Sequence, residues 1–379
     1  MATTEPWAGI VHATGEKLIK GAIDATIRGR FVFTDMQNRG RINTGVDGSY
    51  ASRMAVDWKE APVEGFGYGD EATYAPQDYL KNATVDWRGY KAPDMMHEFE
   101  YDTVGNTQAA LVRRYNRIMP KLIDGVRKMM AEHFYIDGDA SGNEKFFHGM
   151  ESFCGYRSGE VLVGDIIAPP DDTYFGLDTD EDQGGTSWST DISAGTDQPN
   201  HYMATDWPEG TGSTQYDFWS PLLVNWASTS WPSGQNGWLD NGVSVLRRVH
   251  MWLTNRSGMG GGSVLCVLAG NLMSILKDSL WAKVDINAPH VRGLELGHPD
   301  TINFEGLMLR SEYGIPANTG YVVDMNRVQL DICRHKQLIR QMGPYYDEDT
   351  LSWKWIVLNV GNYKFFPRNC AKLYPYAAS

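Results

Sequence analysis

Apolar residues recur along this chain with more than one period, and each period predicts a different element. Leu18, Ile19, Ala22, Ile23 and Ile27 fall at helical spacing with Lys17, Lys20, Arg28 and Arg30 around them, the pattern of a short basic amphipathic arm. From Gln108 to Tyr135 the residues Leu111, Tyr115, Ile118, Leu122, Val126, Met129 and His133 follow a three-four spacing, which predicts one long amphipathic helix. Its other side carries Arg113, Arg114, Arg117, Lys121, Arg127 and Lys128, a face suited to solvent, to a neighbouring subunit or to nucleic acid. Pro120 falls within the stripe, where a proline removes a backbone donor, so either the helix bends or a second one starts there. Asp137-Gly138 reads as the turn that closes it.

Between the arm and the long helix the pattern is extended. Val56-Asp57-Trp58 recurs as Val85-Asp86-Trp87 on either side of Gly69-Asp70-Glu71, with Gly65 and Gly67 close by. This predicts a two-stranded hairpin with arms Ser52 to Pro62 and Tyr79 to Ala92. A ribbon of that length is not stable alone. It lies either on another surface, with Trp58, Tyr74, Tyr79 and Trp87 as aromatic contact area, or back on its own domain. Beyond Asn241, Val243 to Thr254 is again helix-spaced, and Ser263 to Ala269 is an apolar strand after the Gly258-Met259-Gly260-Gly261-Gly262 turn. Asn271 is placed to cap a helix through Ala282. Near the end, Trp353 to Val360 and Tyr363 to Phe366 read as hairpin arms around a Gly361-Asn362 turn.

Composition narrows the class. With 379 residues, 42% hydrophobic and 21% charged, the chain is long enough for two or three domains with sizeable cores. No stretch approaches a membrane span, and Met1 to Trp7 lacks a charged segment followed by an apolar core, so neither a membrane helix nor a secretory signal is predicted and cytoplasmic synthesis is expected. Cys154, Cys266, Cys333 and Cys370 are widely spaced with no Cys-x-x-Cys pair, which predicts reduced thiols rather than zinc knuckles or a disulfide framework. The net charge of −13 lies almost wholly in residues 158–246, which hold 14 Asp and Glu and no Lys or Arg. A field of that sign repels phosphate. The segment is either a solvated loop-rich surface or an acidic face that binds divalent cations or keeps DNA at a distance.

Motifs for chemistry are sparse. Asp137-x-Asp139-x-Ser141-Gly142 matches the first six positions of a calcium-binding EF loop, but His148 stands where the twelfth position needs a bidentate Glu. Asp178-x-Asp180-x-Asp182 is a second partial match, with Gly184 one place late. Turn chemistry explains both, and no metal or other cofactor is predicted. No Gly-x-Ser-x-Gly or His-Glu-x-x-His occurs, and the nine histidines are scattered, so no catalytic residue is assigned and no enzyme is expected. Trp188, Trp207, Trp219, Trp226, Trp231 and Trp238 open a competing reading, a carbohydrate-binding β module in which a pair of carboxylates hydrolyses glycosides. Pro199, Pro208, Pro221 and Pro232 argue instead for loops packed by their own side chains.

Taken in chain order, these segments resemble the major capsid proteins of tailed bacteriophages, whose fold is of the Hong Kong 97 type. Asp300 to Leu309, Ile315-Pro316 and Tyr321-Val322-Val323-Asp324-Met325-Asn326 resemble that family's strand, glycine, hydrophobic strand, proline and Tyr-x-x-Asp/Asn passage. Pro367-Arg368-Asn369 with Leu373-Tyr374 resembles its finish. The resemblance implies an α+β subunit in five parts. Residues 1–49 form an N-terminal arm, 50–100 an extended-loop hairpin, and 101–219 a peripheral domain with a spine helix and an acidic, Trp-rich insertion. Residues 220–340 form an axial domain with the loop from Asp285 to Pro299 near a capsomer centre, and 341–379 return to the peripheral domain. His148-Gly149-Met150-Glu151 becomes a return strand, and Trp58, Tyr74, Tyr79, Trp87 and Arg88 become candidates for contact with neighbouring subunits. It further implies self-assembly through pentamers and hexamers into an icosahedral virion head that encloses double-stranded DNA without reading its sequence. Expected partners are a scaffolding protein, a portal and decoration proteins, with no membrane. Because only about fifty residues precede the hairpin, a separate scaffolding protein is expected rather than a cleaved N-terminal region. An encapsulin-type compartment shell, which shares the fold, is the alternative within this class.

Overall fold

The computed structural model describes residues 31–46, 51–57, 65–71, 74, 76, 80–103, 108–154, 166–167, 173–179, 219–229, 231–257, 263–284, 301–333 and 339–376. Helices and strands are interleaved in an α+β order. Helix α1 (Phe31–Asn38) and strand β1 (Ile42–Val46) precede a ribbon of β2 (Ala51–Asp57) and β3 (Leu80–Asp86). Strand β4 (Arg88–His97) and the short α2 (Glu98–Thr103) then lead into the long α3 (Gln108–Glu132). Four short strands, β5 (Ile166–Ile167), β6 (Thr173–Tyr174), β7 (Leu177–Asp178) and β8 (Leu222–Asn225), bring the chain to α4 (Trp238–Ser257). After β9 (Val264–Leu268), α5 (Gly270–Val284), β10 (Thr301–Phe304), β11 (Leu307–Ser311) and β12 (Gly320–Asp324), the chain closes with β13 (Gln329–Cys333), β14 (Arg340–Asp347), β15 (Ser352–Lys364) and β16 (Cys370–Tyr374). The basic arm at residues 17–30 and the loop from Asp285 to Pro299 lie outside the described residues.

The long helix forms where the three-four stripe places it, but its buried side is turned from that stripe: Met119, Val126 and Met130 are buried, whereas Met129 of the stripe is exposed. It runs unbroken through Pro120, which stands on the exposed side, and ends in a tight turn at His133–Tyr135. The following Asp-x-Asp segment is a turn held by its own side chains. The Asp139 amide donates to Asp137 Oδ1 at 2.9 Å, and Asn143 Nδ2 donates to the Asp137 carbonyl at 2.7 Å. The return strand expected at residues 148–151 is absent, because the chain coils into a 3-10 turn at Met150–Ser152. Gly149 is packed so tightly that a β-carbon there would lie 2.5 Å from the carbonyls of His133 and Ile136.

Strand β15 organises the first sheet. It pairs with β4 along ten positions from Ser352–His97 to Gly361–Arg88, while β14 and then β13 occupy its other edge, with β1 parallel to β13. The hairpin expected around Gly361-Asn362 therefore does not exist, since the strand passes straight through both residues. Gly361 is there for close approach: a β-carbon would stand 2.3 Å from the Asp331 carbonyl of β13. The turn that does form joins β14 to β15 at residues 348–351, with Leu351 in the left-handed region at φ 45°.

The second sheet has seven strands in the order β10-β11-β9-β12-β16-β8-β5. Every residue of β9 and β12 is buried, as strands covered on both sides require. The two sheets cut across the sequence boundaries, because β13 joins the first sheet and β16 lies in the second between β12 and β8. Helices α4 and α5 pack together, and the Trp238 indole donates to the Leu272 carbonyl at 3.0 Å to join them. Asn271 does not cap α5. It sits inside the first turn, where its amide bonds Asn318 Oδ1 at 2.5 Å. Trp219, Trp231 and Trp238 are all buried, which removes them from any flat sugar-binding platform, and Trp188 and Trp207 lie outside the described residues.

Candidate subunit interface

The ribbon buries one face against its own chain through Ser52, Met54, Val56 and Ala83, while its tip carries exposed aromatic rings. Strands β2 and β3 pair in antiparallel register from Ala51–Asp86 to Asp57–Leu80. That register centres the hairpin between Tyr68 and Gly69, as the glycine cluster suggests, and the Asp70 amide closes the turn on the Gly67 carbonyl at 3.3 Å. Gly69 takes φ +94°, a conformation that favours glycine. The repeated Val-Asp-Trp is not a cross-strand match, because Val56 faces Lys81 and Val85 faces Ser52. The ribbon is also shorter than the predicted arms. It ends at Asp86, and residues 88–92 pair with β15 instead.

Four tethers set the ribbon's direction where it leaves the body. Asn362 Nδ2 donates to the Asp86 carbonyl at 3.1 Å while its Oδ1 accepts from the His148 amide at 2.9 Å. Lys364 Nζ, ion-paired to the buried Asp331, donates to the Arg53 carbonyl at 2.7 Å. The Thr84 amide donates to the Phe175 carbonyl at 3.0 Å, which sets the small β6–β7 hairpin under β3. That hairpin is itself held by Tyr174, whose hydroxyl donates to the Tyr363 carbonyl at 3.3 Å and accepts from the Phe365 amide at 3.1 Å.

Arg88 is the fourth tether. Its Nη1 donates to the carbonyls of Gly138 at 2.6 Å and Phe146 at 2.9 Å, and its Nη2 reaches Asp139 Oδ1 at 3.3 Å. The guanidinium thus clamps the ribbon root to the turn after the long helix. Buried His148 approaches the other Asp139 oxygen at 3.3 Å. Burial alone would raise the Asp139 carboxyl, but the neighbouring His148 ring and the charge of Arg88 outweigh it and hold the group below its ordinary value. Beside this turn, the Tyr90 hydroxyl bonds His133 Nδ1 at 2.8 Å and accepts from the Phe147 amide at 3.0 Å. Burial lowers the His133 imidazole pKa, so the ring favours its neutral form.

At the far end the ribbon presents aromatic surface to solvent. Phe66 is 91% exposed, Tyr74 94%, and Tyr68 fully exposed, with Leu80 half exposed behind them. Of the residues expected to meet neighbours, Tyr74 lies on this connection, Trp87 is half-buried at the break between β3 and β4, and Arg88 is turned inward. Trp58 and Tyr79 lie outside the described residues. Phe66 and Tyr68 were missed, although Gly65-Phe66-Gly67-Tyr68-Gly69 carries a legible signal: large rings between glycines have no local neighbours to pack on. Among the described residues no three His, Cys, Asp or Glu side chains converge as a metal site would require.

In sequence the chain matches no family model and no curated protein. In structure it shares its fold with the capsid asymmetric unit of cyanophage A-1(L), at 11% identity and a TM-score of 0.57 over 95% of this chain and 96% of that one. A capsid of an empty GTA particle aligns at 12% identity over 94% of this chain and 100% of that one, with a TM-score of 0.48. The capsid of cyanophage P-SCSP1u aligns at 9% identity over 97% and 95%, also at 0.48.

Proposed function

We propose that this chain is the major capsid protein of a tailed bacteriophage, a subunit that assembles through pentamers and hexamers into the icosahedral head around double-stranded DNA. The observation that carries this reading is the end-to-end match of fold to the cyanophage A-1(L) capsid subunit, which leaves no large part of either chain unmatched. In this reading α3 is the spine helix, the sheet around β15 is the peripheral domain, the seven-stranded sheet is the core of the axial domain, and the β2–β3 ribbon is the extended loop. The residues expected to meet neighbours are Trp58, Tyr74, Tyr79 and Trp87, joined by Phe66 and Tyr68. Arg88 acts at the same interface indirectly, by aiming the ribbon.

The physical case rests on the ribbon. An exposed two-stranded ribbon with bare aromatic rings is unfavourable in a lone subunit, and a neighbouring copy that covers the rings removes that cost. Identical subunits that each extend a ribbon onto the next make a head-to-tail contact, which closes into rings when the rotation permits. Many such contacts, each weak, add up across a closed shell. Scaffolding, portal and decoration proteins are the expected helpers, DNA is held by enclosure, and the product resides in the virion. The role is structural rather than enzymatic.

Deletion of residues 65–78 tests the reading. The shortened chain should fold, because the tethers at Asp86, Arg53 and Thr84 all lie behind the cut. It should form no shells when expressed with its neighbouring genes. Shells at the yield of the intact chain, seen by negative-stain electron microscopy, would refute the assignment.

A further inference from the structure

The sequence holds two Asn-Gly dipeptides close together, Asn236-Gly237 and Asn241-Gly242, and the fold puts them in opposite environments. In such a pair the backbone amide can attack the side-chain amide with least hindrance, because glycine has no β-carbon and its backbone is unusually free. Asn241 is closed to this reaction. It is buried within α4, its Nδ2 donates to the carbonyls of Gln235 at 2.8 Å, Trp226 at 2.9 Å and Ser228 at 3.3 Å, and its Oδ1 accepts from Ser233 Oγ. Gly242 is held in helical backbone, where a β-carbon would lie 3.0 Å from the Trp238 indole, so packing accounts for that glycine. Asp137-Gly138 is closed as well, since the Gly138 amide donates to Ser152 Oγ at 2.8 Å, and Asp124-Gly125 lies inside α3. Asn236 differs on every count. It is exposed in the loop that leads into α4, and among the described residues neither its side chain nor the Gly237 amide makes a hydrogen bond.

We infer that Asn236-Gly237 is a site of self-modification, at which the chain converts an amide into a carboxylate and reroutes its own backbone at the start of α4. The Gly237 nitrogen loses its proton and bonds to Asn236 Cγ, the Cγ–Nδ2 bond breaks, and the side-chain nitrogen leaves with that proton as ammonia. Water then opens the cyclic imide. Attack at Cγ breaks its new bond to the Gly237 nitrogen and leaves an ordinary aspartate, whereas attack at the Asn236 main-chain carbonyl leaves an isoaspartate whose chain runs through Cγ. The net change exchanges water for ammonia and needs no oxidant or reductant. Either product adds a negative charge beside the N-terminus of α4, where the helix dipole accommodates it. The isoaspartate also lengthens the backbone between two fixed points. One is the Gln235 carbonyl held by Asn241, and the other is buried Trp238, whose indole joins α4 to α5 through the Leu272 carbonyl at 3.0 Å. The longer path cannot satisfy both anchors in their present places, so it loosens the junction of the two helices. The inference is independent of the capsid reading.

Peptide mapping of the full-length chain, aged at mildly alkaline pH, tests it. Chymotrypsin cleaves after Trp238 and so separates the two asparagines. The small mass gain of amide-to-acid conversion should appear at Asn236 while Asn241 stays unchanged, and an isoaspartyl methyltransferase should label the Asn236 peptide alone. Aged in urea instead, both sites should convert at similar rates, because only the fold distinguishes them. Gly237→Ala should slow the conversion several-fold; its β-carbon would meet only the flexible end of Asp240, at 3.2 Å, so the variant should fold. Asn236→Asp supplies the charge without the rerouted backbone and should melt with the fresh chain, whereas the aged chain should melt lower. An unchanged Asn236 in the aged folded chain, conversion of both sites alike in that chain, or an unaltered rate in Gly237→Ala would each overturn the inference. An aged, isoaspartyl-labelled chain that melts with Asn236→Asp would overturn the loosening of the helix junction.

Discussion

A single carboxylate ties three elements together. Glu312, just after β11, accepts from the Tyr135 hydroxyl at 2.9 Å and from the Val32 amide, at the start of α1, at 3.3 Å. Burial raises its carboxyl above the ordinary 4.5, against the opposing pull of Tyr135, of the Val32 and Phe31 amides and of Arg310. The folded chain therefore binds this proton more tightly than the unfolded chain. The stability it contributes is complete below the unfolded value and is lost as pH rises through the raised folded value. Glu312→Gln keeps an acceptor but cannot ionise. Its urea midpoint should gain steadily on that of the intact chain as pH is raised from acid to neutral, and an offset that stays constant with pH would contradict the assignment. Asp139 has the opposite sign: its lowered carboxyl contributes stability that is lost as pH falls through the folded value.

At the scale of elements, β15 is the strand on which the rest of the first sheet is registered. Gly361 sits where β4 and β13 both reach it, opposite Arg88 on one edge and Ile332 on the other. Adding a β-carbon 2.3 Å from the Asp331 carbonyl forces β13 away from β15. It would also shift Asn362, whose side chain holds both the ribbon root and the His148 segment. Gly361→Ala should cost about 1–3 kcal/mol or more, as overpacking a tight interior does. Chemical denaturation checks the cost, and a loss well under about 1 kcal/mol would mean that the strands separate freely. This glycine also marks where sequence patterns stop being informative. The helical stripe from Leu111 to Met129 and the glycines around Tyr68 could be read locally, because the partners that give them meaning lie within a few residues. Gly361-Asn362 could not, since the dipeptide of a tight turn is also what a crowded central strand uses. The difference lies in Asp331 and Asp86, the latter 276 residues away. Arg88 is expected among the contacts with neighbouring subunits for the same reason: nothing near it in sequence announces the carbonyls of Gly138 and Phe146.

Across the whole molecule, order is graded from one end to the other. Strands β9 and β12 lie in the middle of the seven-stranded sheet with every residue buried. The aromatic cluster of Phe134, Tyr363, Phe365, Phe153 and Tyr174 joins the end of the long helix to β15 through ring contacts of 5.0–6.0 Å. The ribbon is supported on one face only: Met54, Val56 and Ala83 are buried in the chain's own core, while Phe66, Tyr68 and Tyr74 beyond them are bare, and β2 and β3 pair with no other strand. Opening it breaks its own ladder and the root bonds and exposes Met54, Val56 and Ala83 but leaves both large sheets intact, so it should open at lower free energy than the global unfolding that exposes β9 and β12. Hydrogen exchange on the free subunit should therefore find the amides of residues 51–57 and 80–86 exchanging faster than those of 264–268 and 320–324. In assembled shells the ribbon amides should slow sharply while the β9 and β12 amides stay protected, because a neighbour that covers Phe66, Tyr68 and Tyr74 supplies the missing support. Equal ribbon exchange in free subunits and in shells would mean that the ribbon is not buried on assembly, and the geometric role assigned to it would then have to pass to another surface.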